Sequence, residues 1–304
     1  MKLYNYAYGE KISGKRVVAL GFFDGVHKGH RALLKKARDA ATAAGLPLAV
    51  FTFPAEATLP GKQPSRIYST EQKLLLLEEL SVDEIILADF SSVMNIDAED
   101  FVNRSLISDM SAEIAVFGDD YRFGRAAKGN TEMLARLMTE AKKECIMLPE
   151  ERVYDERVSS TAIREYLRTA NMERANAMLG APYFISGRVT HGLGKGHAFG
   201  FPTVNTALSE NGVTLRRGVY RSAVMIDGEE IAAITNLGVC PTVSEREVHA
   251  ETYLIDREID LYGREMRIFL YEFLRDEKKF DTAEELIMQI KVDIERVRNY
   301  QNGR

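Results

Sequence analysis

The stretch GFFDGVHKGH, from Gly21 to His30, sets two histidines three residues apart among three glycines. It follows the apolar run RVVAL at 16–20 and precedes a segment of helical periodicity, so the histidines fall at a helix start. The free N–H groups of such an end attract phosphate. His27 and His30, on one face of it, can donate hydrogen bonds to phosphate oxygens as charge builds in a transition state. A metal is the competing reading of the pair, but no third ligand at a recognisable spacing lies near. Either histidine taken singly reads as a cap or a surface residue, and the glycines as a strand-to-helix turn. Jointly, in the first turn of an alternating sheet, a phosphate site accounts for all of them. A second stretch, VSSTAIR at 158–164, gathers Ser160, Thr161 and Arg164 around another helix start. Ser160 or Thr161 as N-cap accounts for the hydroxyls alone; it does not require Arg164, whose planar fork suits a triphosphate.

The second half carries its own candidates. In HGLGKGHAFG, residues 191–200, Gly194, Gly196 and Gly200 lie in a loop able to wrap phosphate, a weak signal when alone. Thr203 and Asn205 flank Val204 on a strand and therefore share a face. Two hard oxygen donors suit Mg²⁺, which keeps waters and substrate phosphate for its other positions. Glu251, within AETYLID, is the candidate base for an attacking alcohol, and reads equally as an outward-facing strand residue.

Alternating elements must position the first set. Short apolar runs at 16–20, 48–53, 84–90, 113–118 and 145–148 read as strands buried on both faces, separated by helical segments. The first helix puts Leu33, Leu34, Ala37, Ala40, Ala41 and Ala44 on one side and stops at Gly45; a later one opens at Asp97. Such alternation predicts a parallel sheet with right-handed crossovers, whose ligands gather at the carboxyl ends of its strands. After Gly180-Ala-Pro182 the grammar changes to strand-like, turn-rich runs, with Asp227-Gly228 as a hairpin signal. About six strands in so short a span predict a small closed barrel. Leu286, Ile290, Ile294 and Val297 form the apolar stripe of a terminal helix opened by Thr282 and Glu285. The expectation is α/β plus all-β, with domains at 1–182 and 183–304.

A length of 304 residues fits two domains, and 45% apolar with 28% charged residues is the balance of an ordered globular chain. The formal net charge of -5 argues against a polyanion-binding surface, so no nucleic acid partner is expected. Cys145 and Cys240 alone suggest neither a disulfide framework nor a cysteine zinc site. The N-terminus lacks a signal-peptide core and no apolar run approaches a membrane span, so the expected setting is the cytoplasm without a membrane. Charged helices could mediate self-association or face solvent equally well.

An HxGH turn with a later SSTxIR helix resembles the signatures of the nucleotidyltransferase superfamily that acts on the α-phosphate of ATP. Within it, GFFDGVHKGH, STEQKLLLLEELSVDEIILADF, GDDYRFG with KGN just after, and VSSTAIR resemble the bacterial bifunctional riboflavin kinase/FMN adenylyltransferase family. The second half adds GFPTVNT, GVY, NLGVCPTV, the glutamate of AETYLID, DLYG and FLRDEKKF in the order of the riboflavin kinase module. The resemblance implies a Rossmann-like nucleotidyltransferase sheet, then a six-stranded Greek-key barrel with a C-terminal helix.

It also implies two reactions, with Mg²⁺ present. In one, an FMN phosphate oxygen attacks the α-phosphorus of ATP to give FAD, pyrophosphate leaves, and no covalent enzyme intermediate forms. In the other, the γ-phosphoryl of ATP passes to the 5′-hydroxyl of riboflavin, with Glu251 as base and Thr203 and Asn205 at the metal. By position, Gly21, Phe22, Phe23, Asp24 and Gly29 would shape the nucleotide pocket. His27, His30, Ser160, Thr161 and Arg164 would hold its phosphates, and Asp120 and Phe123 would lie by the flavin. Two departures stand out. Phe53-Pro-Ala-Glu-Ala57 lacks the family's usual His-Pro pair, and His197 and Phe199 replace a more common arginine and leucine. A neutral His197 would hold ATP less firmly than an arginine. A tRNA synthetase-like protein would need the basic surface this chain lacks. A flavin sensor without turnover would have lost residues that are all present.

Overall fold

The computed structural model describes residues 1–57, 66–190, 200–208, 212–239 and 248–302. The chain folds as two compact units, Met1–Ser160 and Thr161–Arg304, each with its own core.

In the first unit, β1 (Lys2–Tyr6), β2 (Arg16–Leu20), β3 (Leu48–Thr52), β4 (Glu84–Ala88), β5 (Ala112–Gly118) and β6 (Glu144–Leu148) form one parallel sheet. The helices between them are α1 (Lys28–Ala44), α2 (Thr70–Glu79), the short α3 (Phe90–Val93) and α4 (Ala98–Asp100), and α5 (Thr131–Glu140). α4 runs on as a π-helix over Phe101–Asp109. Every residue of β2 and β3 is buried, as expected of strands covered on both faces. The strand order is β1-β4-β3-β2-β5-β6. From β2 the chain crosses to β3 on one side, and from β5 to β6 on the other, so the crevice of the sheet opens between the carboxyl ends of β2 and β5. The GFFDGVHKGH and GDDYRFG loops leave those two ends.

The sequence missed β1, an edge strand, and the small hairpin of β7 (Arg152–Val153) with β8 (Glu156–Arg157). Gly45 ends α1 at a left-handed φ of 64°, as predicted, and Leu33, Leu34, Ala37 and Ala41 are buried. Ala44, predicted for the same stripe, is exposed in the last turn. Asp97 caps α4 by accepting the Glu99 N–H at 3.0 Å.

The second unit holds most of α6 (Ser160–Arg168), all of α7 (Met172–Leu179), and then six strands. These are β9 (Tyr183–Thr190), β10 (Thr203–Leu208), β11 (Gly218–Ile226), β12 (Glu229–Val239), β13 (Val248–Leu254) and β14 (Glu265–Arg275). They close into an antiparallel barrel in the order β10-β13-β12-β11-β14-β9. Three consecutive strands, β11, β12 and β13, are followed by β14 returning beside β11, which is the Greek-key arrangement. The Asp227-Gly228 turn has φ of 50° and 88°, the two left-handed residues of a type I′ hairpin. Inside the barrel, the hydroxyls of Ser222, Thr235 and Thr252 hydrogen-bond in series at 2.8 and 3.0 Å.

A final helix, α8 (Ala283–Asn302), lays Ile294 and Val297 on Val219, Ile234 and Ile255 of the barrel's outer face. Only half of its predicted capping box forms. Thr282 accepts the Glu285 N–H at 3.2 Å, while the Glu285 carboxylate takes the N–H of Asp281.

Candidate active sites

The turn between β2 and α1 is held in a conformation that its residues would not choose. Phe23 and Val26 have φ of 52° and 43°, and both side chains are wholly buried. Polar groups from outside the turn fix it. The Phe22 carbonyl accepts hydrogen bonds from Thr52 Oγ1 at 2.9 Å and Lys73 Nζ at 3.2 Å. Asp24 Oδ1 accepts the Ile67 N–H at 2.9 Å, and the Asp24 carbonyl accepts the Ser160 hydroxyl at 2.8 Å. Arg31 Nε donates to the Val26 carbonyl at 3.1 Å.

The result is a histidine pair with a defined presentation. His27 is the N-cap of α1, and its Nδ1 accepts the His30 N–H at 3.4 Å. That bond places the ring proton of neutral His27 on Nε2. The two rings stack at 3.6 Å with an interplanar angle of 14°. Burial pulls His27 down to about 4, and burial, then the charges of His27 and Lys73, hold His30 well below the usual imidazole value. Both rings are therefore neutral at pH 7, each with one N–H to offer. Gly29 lies beside the His27 ring, which a Cβ there would meet at 3.4 Å.

Of the SSTxIR residues, Ser160 reaches the turn through Asp24, as a donor rather than the expected cap. Farther along α6, Arg164 donates to Thr161 Oγ1 at 3.0 Å, so hydroxyl and guanidinium lie together on one turn.

The loop after β5 separates its two candidates. Asp120 is exposed and ion-paired with Arg157, whereas Phe123 is buried against Phe101 and Tyr121, at ring distances of 5.3 and 5.8 Å. Phe123 and Gly129 exchange both backbone hydrogen bonds, at 2.9 and 3.3 Å, so the KGN glycine backs the phenyl ring. Above the end of β3, Phe22, Phe53 and Phe90 form an aromatic group, with ring distances of 4.8 Å for Phe22 with Phe53 and 5.2 Å for Phe53 with Phe90.

In the barrel, strand register assembles the second site. Asn205 lies directly opposite Glu251, and Glu251 directly opposite Asn236. Opposite residues share a face, so Asn205, Glu251 and Asn236 form a row across three strands. It lies on the outer face, since Thr252 and Thr235 point into the barrel and Ile234, two residues from Asn236, packs under α8. Glu251 is exposed, and Asn236 Oδ1 is enclosed with no hydrogen-bond partner among the described residues. Thr203 continues the face one step along, opposite Tyr253. Beside Thr203 opens a cavity of about 220 Å³ lined by Pro202, Leu254, Ile259, Leu261 and Tyr262, among others. Gly200 is described, with φ of 79°; Gly194, Gly196, His197, Phe199 and Cys240 lie outside the described residues.

Sequence reading missed Asn236, Thr52, Arg31 and Lys73. Lys73 left a trace: it sits three and four residues before Leu76 and Leu77, on the buried face of α2.

Comparison with known proteins decides between the readings. Residues 9–162 match the family described as FAD synthetase, and residues 179–301 the family described as riboflavin kinase. The chain belongs to the bifunctional riboflavin kinase/FMN adenylyltransferase family. The member from Bacillus subtilis is 33% identical over 299 residues, covering 95% of this chain and 94% of that protein. The member from Escherichia coli K12 is 34% identical over 282 residues, covering 91% and 90%. A crystal structure described as a macrolide-efflux protein from Streptococcus pneumoniae is 30% identical, covers 98% of this chain and 99% of its own, and superposes with a TM-score of 0.86. Among the described residues, no helix is long and apolar enough to cross a membrane.

The protein is thus a two-activity, ATP-dependent enzyme. Its C-terminal domain phosphorylates riboflavin to FMN, and its N-terminal domain adenylylates FMN to FAD.

Proposed function

We propose that the stacked histidines carry the adenylyl transfer and that the Asn205–Glu251–Asn236 row carries the phosphorylation. The single observation behind this is placement. The histidine turn lies at the crevice between β2 and β5, and Glu251 lies in register with the oxygen donor Asn205.

In the first reaction, His27 Nε2–H and the His30 ring donate to the ATP phosphates. The open N–H groups of α1, with Ser160, Thr161 and Arg164, hold the remaining phosphate oxygens. Gly21, Phe22, Phe23, Asp24 and Gly29 line the nucleotide side. Phe123 supports the flavin side from beneath, and Asp120 borders it. Neutral histidines suit this task because they donate one hydrogen bond each without fixing a proton-dependent charge.

In the second, Glu251 accepts the proton of the riboflavin 5′-hydroxyl as it attacks the γ-phosphorus and ADP leaves, and Gly200 approaches the phosphates. Thr203 and Asn205 would hold Mg²⁺, a role that suits a hydroxyl and an amide oxygen with Asn236 Oδ1, unpartnered among the described residues, on the same face. When bound, the cation neutralises phosphate charge. We place the functional boundary at 182/183, near the start of the riboflavin kinase match at 179, and the enzyme in the cytoplasm.

Chromatographic time courses with riboflavin or FMN as substrate test the assignment. Glu251→Gln lowers FMN formation by about 10²-fold or more and spares FMN adenylylation; His30→Ala does the reverse. Loss of both activities together in either variant contradicts the division of labour.

A further inference from the structure

Lys73 is 3% exposed, in a class of residue seldom buried unless something requires it. It occupies the face of α2 shared with Leu76 and Leu77, where an apolar side chain would pack without desolvating a charge. Its ammonium donates to the Phe22 carbonyl at 3.2 Å, to Thr52 Oγ1 at 3.3 Å, and to the Phe53 carbonyl. Those acceptors belong to the carboxyl ends of two neighbouring strands, β2 and β3. Phe22 immediately precedes the left-handed Phe23, so the ammonium pulls on the turn at the point where it leaves regular geometry. Three N–H donors meet three acceptors, and a neutral amine has only two to give.

We propose that Lys73 is a positioning residue for adenylyl transfer, its ammonium clamping the strained turn so that His27 and His30 stay stacked and neutral. The inference rests on the reading of that turn as the adenylyl-transfer site.

Charged groups on three neighbouring elements face Lys73, and Lys73 and His27 face His30. Asp24 in the turn, Glu56 after β3 and Arg66 before α2 act on Lys73, and Lys73 in turn acts on His30 at the start of α1. Burial, opposed first by Asp24, brings the Lys73 ammonium down to about 8. It is therefore charged at pH 7 and loses its third donor as pH rises through about 8. Its charge also disfavours protonation of His30, so removing it lets His30 take up a proton more readily.

The test measures FMN adenylylation and riboflavin phosphorylation by the same full-length chain from pH 6 to 10. Wild-type adenylylation falls on the alkaline side with a midpoint near 8. Lys73→Met lowers kcat for adenylylation at pH 7 by about tenfold or more, abolishes the alkaline limb, and moves the His30 ring titration upward by NMR. Riboflavin phosphorylation stays at the wild-type rate, which reports that the second unit is intact, and an unchanged melting transition of the first unit reports that Lys73→Met has not unfolded it. Lys73→Arg restores part of the rate and shifts the limb upward, because guanidinium keeps its charge. A Lys73→Met enzyme with wild-type kcat and pH profile overturns the inference, provided His30→Ala has lost adenylylation. If His30→Ala is fully active, the reading of the turn itself is wrong. A flat wild-type profile to pH 10 overturns the inference without any variant, and so does not depend on whether Lys73→Met folds.

Discussion

Gly129→Ala tests whether Phe123 supports the flavin. The backbone of Gly129 is pinned by its two hydrogen bonds to Phe123, so it cannot withdraw to make room. A Cβ built there meets three atoms of the Phe123 ring at 2.5, 2.5 and 2.7 Å, inside any tolerated contact. The ring must therefore move, and it is enclosed by Phe101 and Tyr121. Overpacking of this kind costs about 1–3 kcal/mol. If the displaced ring falls on the flavin side, that cost appears as a rise of about 5- to 150-fold in KM for FMN, at roughly 1.4 kcal/mol per tenfold. The assay is initial-rate FAD formation at varied FMN and saturating ATP, with riboflavin phosphorylation by the same preparation as the reference. A wild-type KM for FMN in a chain whose first unit has lost about 1–3 kcal/mol of stability would refute the placement of Phe123, since strain would then be present without a flavin to feel it.

Three further outcomes are expected. His27 is pulled down to about 4 in the folded chain, so the unfolded chain binds the extra proton between there and about 6.5. The stability this contributes is complete above about pH 6.5 and is lost as pH falls through about 4; His27→Asn, which keeps a capping acceptor, flattens the fall in melting temperature over that window. Asp293 is 5% exposed and accepts hydrogen bonds from both Arg275 and Gln289. Asp293→Ala lowers unfolding free energy by about 1–3 kcal/mol in urea, because it strips partners from a buried pair whose arginine is part-exposed. His197→Arg lowers the ATP KM of riboflavin phosphorylation, and an unchanged value would show that the departure from arginine is neutral.

The parts of the fold readable in the sequence were those encoded locally. Val17, Val18, Leu48 and Val50 announce strands buried on both faces, and Asp227-Gly228 announces its hairpin. β1 was not readable in this way. Its residues run from exposed Leu3 to buried Tyr6, and its membership of the sheet comes from pairing with β4, some eighty residues on. The same division runs through the sites. His27 and His30 are neighbours in sequence, so their spacing announced a helix-start pair. Asn205, Glu251 and Asn236 are neighbours only through long-range register, and although Asn236 opens the quoted NLGVCPTV stretch, nothing local to that stretch shows that it sits beside Glu251. Lys73 was hidden for another reason: a lysine among leucines reads as the wet edge of a helix until its burial is known.

The inner hydroxyl series of Ser222, Thr235 and Thr252 has a bearing on how the outer row is kept in order. Glu251 and Thr252 are adjacent and point to opposite faces, so a slip of one residue would turn a carboxylate into the barrel and a core threonine out to water. A slip of two would keep the faces but break the hydroxyl series, leaving polar atoms stranded in an apolar interior. The interior thus acts as a proofreader for a surface it never touches. The series spans β11, β12 and β13, so a barrel that closes with it intact closes with Glu251 and Asn236 abreast, and a misalignment of those two strands costs stability as well as activity.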